Sequence, residues 1–98
     1  MRMLLKWEMG LKAGNEAIRT GKVADLNKAL MEQTQPEAAY FCTENGRRTS
    51  YIFFDLSDPS QIPVIAEALF QELDSAVQFI PAMNVDDLQR GLAKVANA

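Results

Sequence analysis

The side chains of this 98-residue chain that could do proton chemistry are few and scattered. Lys6 and Glu8 stand two apart in "MRMLLKWEM", which places an ammonium and a carboxylate on one face of a strand. Beside the phenols of Tyr40 and Tyr51 they make the kind of acid/base group that cofactor-free enzymes use. A solvated ion pair, or one at the rim of an interface, is the simpler reading of the same residues. Cys42 needs a neighbouring base to become a nucleophile, and the sequence holds no histidine; a lone mid-strand cysteine is otherwise a small apolar filler. Asn15 and Arg19 in "AGNEAIRTG" are read as a helix cap and its neighbour, close to Trp7 at the mouth of any helix-sheet cleft. The competing reading has Trp7 packed in the core. Asp86 and Asp87 are adjacent carboxylates, but neighbours on a helix point apart, so they are assigned to the positive end of a helix dipole. "TGK" at 20–22 lacks the upstream glycine and the strand-to-helix setting of a phosphate loop.

The candidate pocket is therefore Lys6, Trp7, Glu8, Asn15, Arg19, Tyr40 and Cys42, with no catalytic residue assigned. Without histidine, and with one cysteine, the chain offers no familiar metal set, and neither a metal nor another cofactor is expected. Ten basic against thirteen acidic residues give a net charge of −3, without the basic footprint of a nucleic-acid or anionic-lipid binder. The amino-terminal apolar run is broken at Lys6 and Glu8, and no apolar stretch reaches the ~20 residues of a membrane helix. A cytoplasmic protein with no membrane partner is expected. At this length, with 48% hydrophobic residues, one domain over 1–98 is expected, burying about 60–65% of its unfolded surface and gaining from an oligomeric contact.

These side chains are positioned by elements that the hydrophobic periods define. Residues 2–9 alternate, with Met3, Leu5, Trp7 and Met9 on one face, as a strand does. Helical spacing follows to Pro36, broken at Gly21. Asn45-Gly46 joins two strand-like runs and predicts a type I′ hairpin with Glu44 opposite Arg47, Cys42 opposite Thr49 and Tyr40 opposite Tyr51. Asp58 and Pro59 start a helix striped by Ile62, Ile65, Leu69 and Leu73. "SAVQFIPAM" is a last strand, and Asn84 caps a final helix whose Val85, Leu88, Leu92 and Val95 are expected to face inward.

The order β-α-β-β-α-β-α is that of a ferredoxin-like α+β sandwich, a four-stranded antiparallel sheet with helices on one face. Ala39, Phe41, Ile52, Phe54 and Leu56 then lie under the helices. The other face carries Tyr40, Cys42, Tyr51, Phe53 and Asp55 with Lys6, Glu8 and Gln78, more apolar area than a free surface keeps. One use is self-association through Leu4, Thr49, Tyr51, Phe53 and Ile80, closing two sheets into a dimeric α/β-barrel. A second is RNA binding, since "RRTSYIFF" partly resembles the third-strand signature of the RNA-recognition module. Thr49 stands there for a stacking aromatic and Arg48 for the glycine, and no nucleic-acid partner is expected.

The blocks "MRMLLKWEM", "AGNEAI", "PEAAYF", "ENGRRTSYIFFD", "IPVIAEALF" and "VQFIPAMNVDDL" resemble small bacterial proteins of the dimeric α/β-barrel, ferredoxin-like type, over nearly the whole chain. The resemblance implies that fold and a homodimer, with no established activity to carry over. Some members carry a pantothenate synthetase label. That ligase is far larger and uses a histidine-containing ATP motif, so the label does not transfer to a chain without histidine. The expectation is a homodimer that binds a small organic molecule or serves a structural or regulatory role. The alternative is a cofactor-independent enzyme acting on a small aromatic or carbonyl compound.

Overall fold

A computed structural model describes residues 1–97. The elements run β1 (Arg2–Glu8), α1 (Leu11–Thr20), α2 (Lys22–Thr34), β2 (Ala38–Glu44), β3 (Arg47–Asp55), α3 (Gln61–Leu73), β4 (Ala76–Pro81) and α4 (Val85–Ala96). The strands form one sheet in the order β2-β3-β1-β4, with every neighbouring pair antiparallel. This is the ferredoxin-like α+β arrangement, its first crossover split into two helices at Gly21. No helix among the described residues is long and apolar enough to cross a membrane.

The hairpin follows its sequence signal. Asn45 and Gly46 take φ of 55° and 73°, the left-handed pair of a type I′ turn, and Glu44–Arg47, Cys42–Thr49 and Tyr40–Tyr51 are opposite one another. Because side chains alternate, that register decides both faces of the sheet. Met3, Leu5, Trp7, Ile52, Phe54 and Leu56 are buried beneath the helices, which contribute Ala17, Leu30, Ile65, Leu69 and Leu73. Phe79 meets Phe54 edge to face, ring centres 6.5 Å apart.

Three expectations need correction. Phe41 leaves β2 on the helix side, as its parity requires, yet it is 59% exposed instead of core. It stands on the edge strand β2, whereas α1 lies over β3 and against α2 and α3. The third helix begins at Gln61 with Ser60 as its cap, later than the Asp58–Pro59 start. Asp58 forms a turn instead, its carboxylate accepting from the Ser60 N–H at 2.8 Å.

The last correction is larger. α4 starts as read, with a capping box in which Asn84 Oδ1 accepts from the Asp87 N–H at 2.8 Å and the Asp87 carboxylate accepts from the Asn84 N–H at 3.1 Å. It buries nothing, however, and Val85, Leu88, Leu92 and Val95 are all exposed. α1 and α3 occupy the β3 and β4 parts of the helix face of the sheet. α4 projects, so the Cα radius of gyration is 15.7 Å, against about 12–13 Å for a compact domain of this length. Its first turn is anchored by Arg2, which reaches Asp87 at 3.0 Å and Glu37 at 2.6 Å. Arg2 leaves β1 opposite Met3, so α4 sets out from the open face.

Leu5 is wholly buried at the centre of this packing. Leu5→Ala is expected to cost about 2–5 kcal/mol in urea unfolding. Val64→Ala, on the exposed side of α3, should stay within about 0.5 kcal/mol.

Candidate functional site

The helix-side residues form rows across the strands. In the row Ala39, Ile52, Leu5, Phe79, the position on β3 is filled by isoleucine; in the next row, Phe41, Ser50, Trp7, Val77, it is filled by serine. A small residue between two aromatics leaves a hollow. The elbow between α1 and α2 stands over it without closing it, and the result is a cleft of about 570 Å³, within the range of small-molecule sites.

The walls are mostly apolar: Trp7, Met9, Phe41, Ile18, Val23 and Ala24. Trp7 is 1% exposed, and its indole N–H donates to Ser75 Oγ at 2.8 Å. The polar end of the ring is thereby engaged.

Two polar groups on the cleft lack partners suited to them. Asn27, on α2, has a buried Oδ1 that accepts no hydrogen bond from the described residues, an arrangement that costs free energy. Arg48, on β3, is half-buried, and its Nη1 donates to Asn15 Oδ1 at 3.1 Å. Gly14 makes that crossing possible. A Cβ there would lie 2.8 Å from Met9 Sδ and 3.0 Å from Arg48 Nη1.

The sequence-derived candidates fall in three places. Trp7 lines the cleft; Cys42 borders it on β2, but its parity with Thr49 sends its side chain to the opposite face. Asn15 is not a cap, because α1 begins after Gly10; it sits mid-helix and acts on the cleft through Arg48. It shares with Arg19 a shallow surface hollow beside Asp74. Lys6, Glu8 and Tyr40 belong to the opposite face of the sheet. Sequence reasoning missed Arg48, Asn27 and Ser50 as cleft residues. The signal for Arg48 was its parity, since it leaves β3 on the same side as Ile52.

On the opposite face Lys6 pairs with Glu44, not Glu8, and Tyr51 donates to the same carboxylate. The Lys6 ammonium also lies 5.6 Å from the Tyr51 ring centre. Glu8 pairs with Arg47 at 3.6 Å instead. Thr49 stands between Arg47 and Tyr51 on this face and is already 2% exposed, its hydroxyl donating to the Arg47 carbonyl at 3.1 Å.

The charges on this face stabilise one another in their resting states. Hydrogen bonds from Lys6 and then Tyr51 hold the Glu44 carboxyl below the usual carboxylate range, while the bond to Glu44 raises both Lys6 and Tyr51. All three move away from neutrality, the reverse of what a general acid or base at neutral pH requires. The group is a clamp joining β1, β2 and β3. No cluster of three or more metal-binding side chains occurs among the described residues.

Glu44 is the acid-side probe of this clamp. Its lowered pKa makes its contribution complete above the ordinary glutamate range and lost as pH falls through the depressed value. Glu44→Gln should therefore destabilise at neutral pH, with the difference from wild type shrinking on acidification. A difference that stays constant with pH would show that Glu44 is not held ionised. No protein-family model and no curated protein matches the chain, so its function is read from this geometry.

Proposed function

We propose that the protein is a homodimer that binds a small organic molecule in the cleft between the β2 side of the sheet and the α1–α2 elbow. The observation that carries this reading is the cleft itself, about 570 Å³ with apolar walls and an Asn27 acceptor that has no donor among the described residues. An opening of this size with few placed polar groups is the common form of a ligand site.

Dimerisation is supported by the open face and by α4. Ala38, Phe53, Leu4 and Ile80 are register partners and form an apolar band across all four strands. Beside it the charges are already neutralised, Lys6 by Glu44 and Glu8 by Arg47. A second sheet closing on this face thus buries apolar surface without stranding a charge. The apolar stripe of α4 leaves from the same face and is exposed along its length, so a partner subunit can cover stripe and band together.

Two measurements check this reading. Light scattering at micromolar concentration should give twice the chain mass, and Phe53→Lys or removal of residues 85–98 should lower it; a wild-type monomer would end the dimer proposal. For the cleft, the fluorescence of Trp7, the only tryptophan, should respond saturably to 3-phenylpropionate or its neutral amide at up to millimolar concentration. Ser50→Leu, which fills the hollow, should abolish the response without lowering the melting temperature.

A further inference from the structure

The arginines of the described residues are not treated alike. Arg2, Arg19, Arg47 and Arg90 each have a carboxylate within 4.0 Å. Arg48 has none among the described residues, although it is half-buried and lines an apolar cleft. A guanidinium always carries its charge, and removing it from water without a counter-charge is unfavourable. The chain keeps it there and fixes it with a neutral amide: Asn15 Oδ1 takes one N–H of Nη1 at 3.1 Å. That bond sets the direction of the fork and leaves its charge uncompensated. The remaining N–H groups are free for a second acceptor, and a carboxylate matches their spacing with two parallel bonds.

The surroundings give the rest of the ligand. Phe41 and Ile18, both largely exposed, offer an apolar surface on which a flat apolar body packs, above a floor set by the nearly buried Trp7 and Met9. Asn27 Oδ1 calls for a hydroxyl or N–H donor on the α2 side. The chain as a whole is acidic, at −3, so attraction for an anion is local to Arg48 and does not come from the global field.

We infer that the cleft selects small carboxylates with an aromatic or bulky apolar body, bound through the Arg48 guanidinium that Asn15 orients. This rests on the cleft being a ligand site, as proposed above. The acid's carboxylate takes the free N–H groups of Arg48, its body lies against Phe41 and Ile18 above Trp7, and a hydroxyl or amide N–H on the acid meets Asn27.

The test compares 3-phenylpropionate with 3-phenylpropanamide, which has the same shape and no charge, using Trp7 fluorescence on the full-length protein. The carboxylate should bind about ten- to a hundredfold more tightly, the range expected for a charge-assisted bond, and added salt should narrow the gap. Arg48→Gln should erase the preference while leaving the amide's affinity within about twofold, and Arg48→Lys, which keeps the charge but not the fork, should retain part of it. Equal affinity of wild type for acid and amide overturns the inference and leaves the cleft as a ligand site. Loss of both ligands in a folded Arg48→Gln, judged by circular dichroism, also overturns it, since Arg48 would then be only a wall. If neither compound binds the wild type, the cleft reading and the inference fall together.

Discussion

A strand whose successive side chains point to opposite sides cannot hide an apolar run under one cover. β3 carries Tyr51, Ile52, Phe53 and Phe54 in sequence, so Ile52 and Phe54 require one covering layer and Tyr51 and Phe53 another. The chain supplies the first from α1 and α3, and burial beneath it is nearly complete. For the second it supplies only a partial substitute, the Glu44 clamp drawn over Tyr51 and Lys6. Both the open face and the projecting α4 follow from that imbalance.

The same geometry explains why the cleft lies on the β2 side. α1 packs on β3 and α3 on the edge strand β4, so the opposite edge, β2, is the strand left under-covered. An edge position filled by a small residue would simply collapse. Here Phe41 on β2 is largely exposed while Ser50 leaves a hollow beside it on β3, so the gap opens between Phe41 and the buried Trp7. An aromatic ring exposed at 59% on the helix side is costly for packing alone, and a bound apolar molecule would cover it.

Much of this was legible in the sequence because it depends on local rules. The period of two assigned β1, and the Asn45-Gly46 pair fixed the hairpin register and hence which residues share a face. The Asn84 cap was equally local. What stayed hidden depends on which surface lies opposite. The stripe Val85, Leu88, Leu92, Val95 defines an amphipathic helix, but periodicity does not say whether its own subunit has a free surface to receive it. Phe41 obeyed parity and still missed the core, because coverage by helices is a property of the assembled layers. Glu44 was read only as the partner of Arg47 across the turn; its reach to Tyr51 and Lys6 depends on a side chain crossing a row of the sheet, which pairing rules do not describe.

Arg47 and Arg48 show how far a single step along a strand can separate two roles. They are consecutive, share one chemistry and sit beside the same turn. Arg47 leaves β3 toward the open face and meets Glu8. Arg48 leaves toward the helices, where the nearest fixed partner is the amide of Asn15 rather than a carboxylate. An acid at position 15 would have neutralised the guanidinium and closed the site to anions. Asparagine keeps nearly the same shape and hydrogen bond without the charge, and Gly14 beside it leaves the guanidinium room. The uncompensated charge is thus set by three residues together: the parity of Arg48, the neutrality of Asn15 and the missing side chain of Gly14.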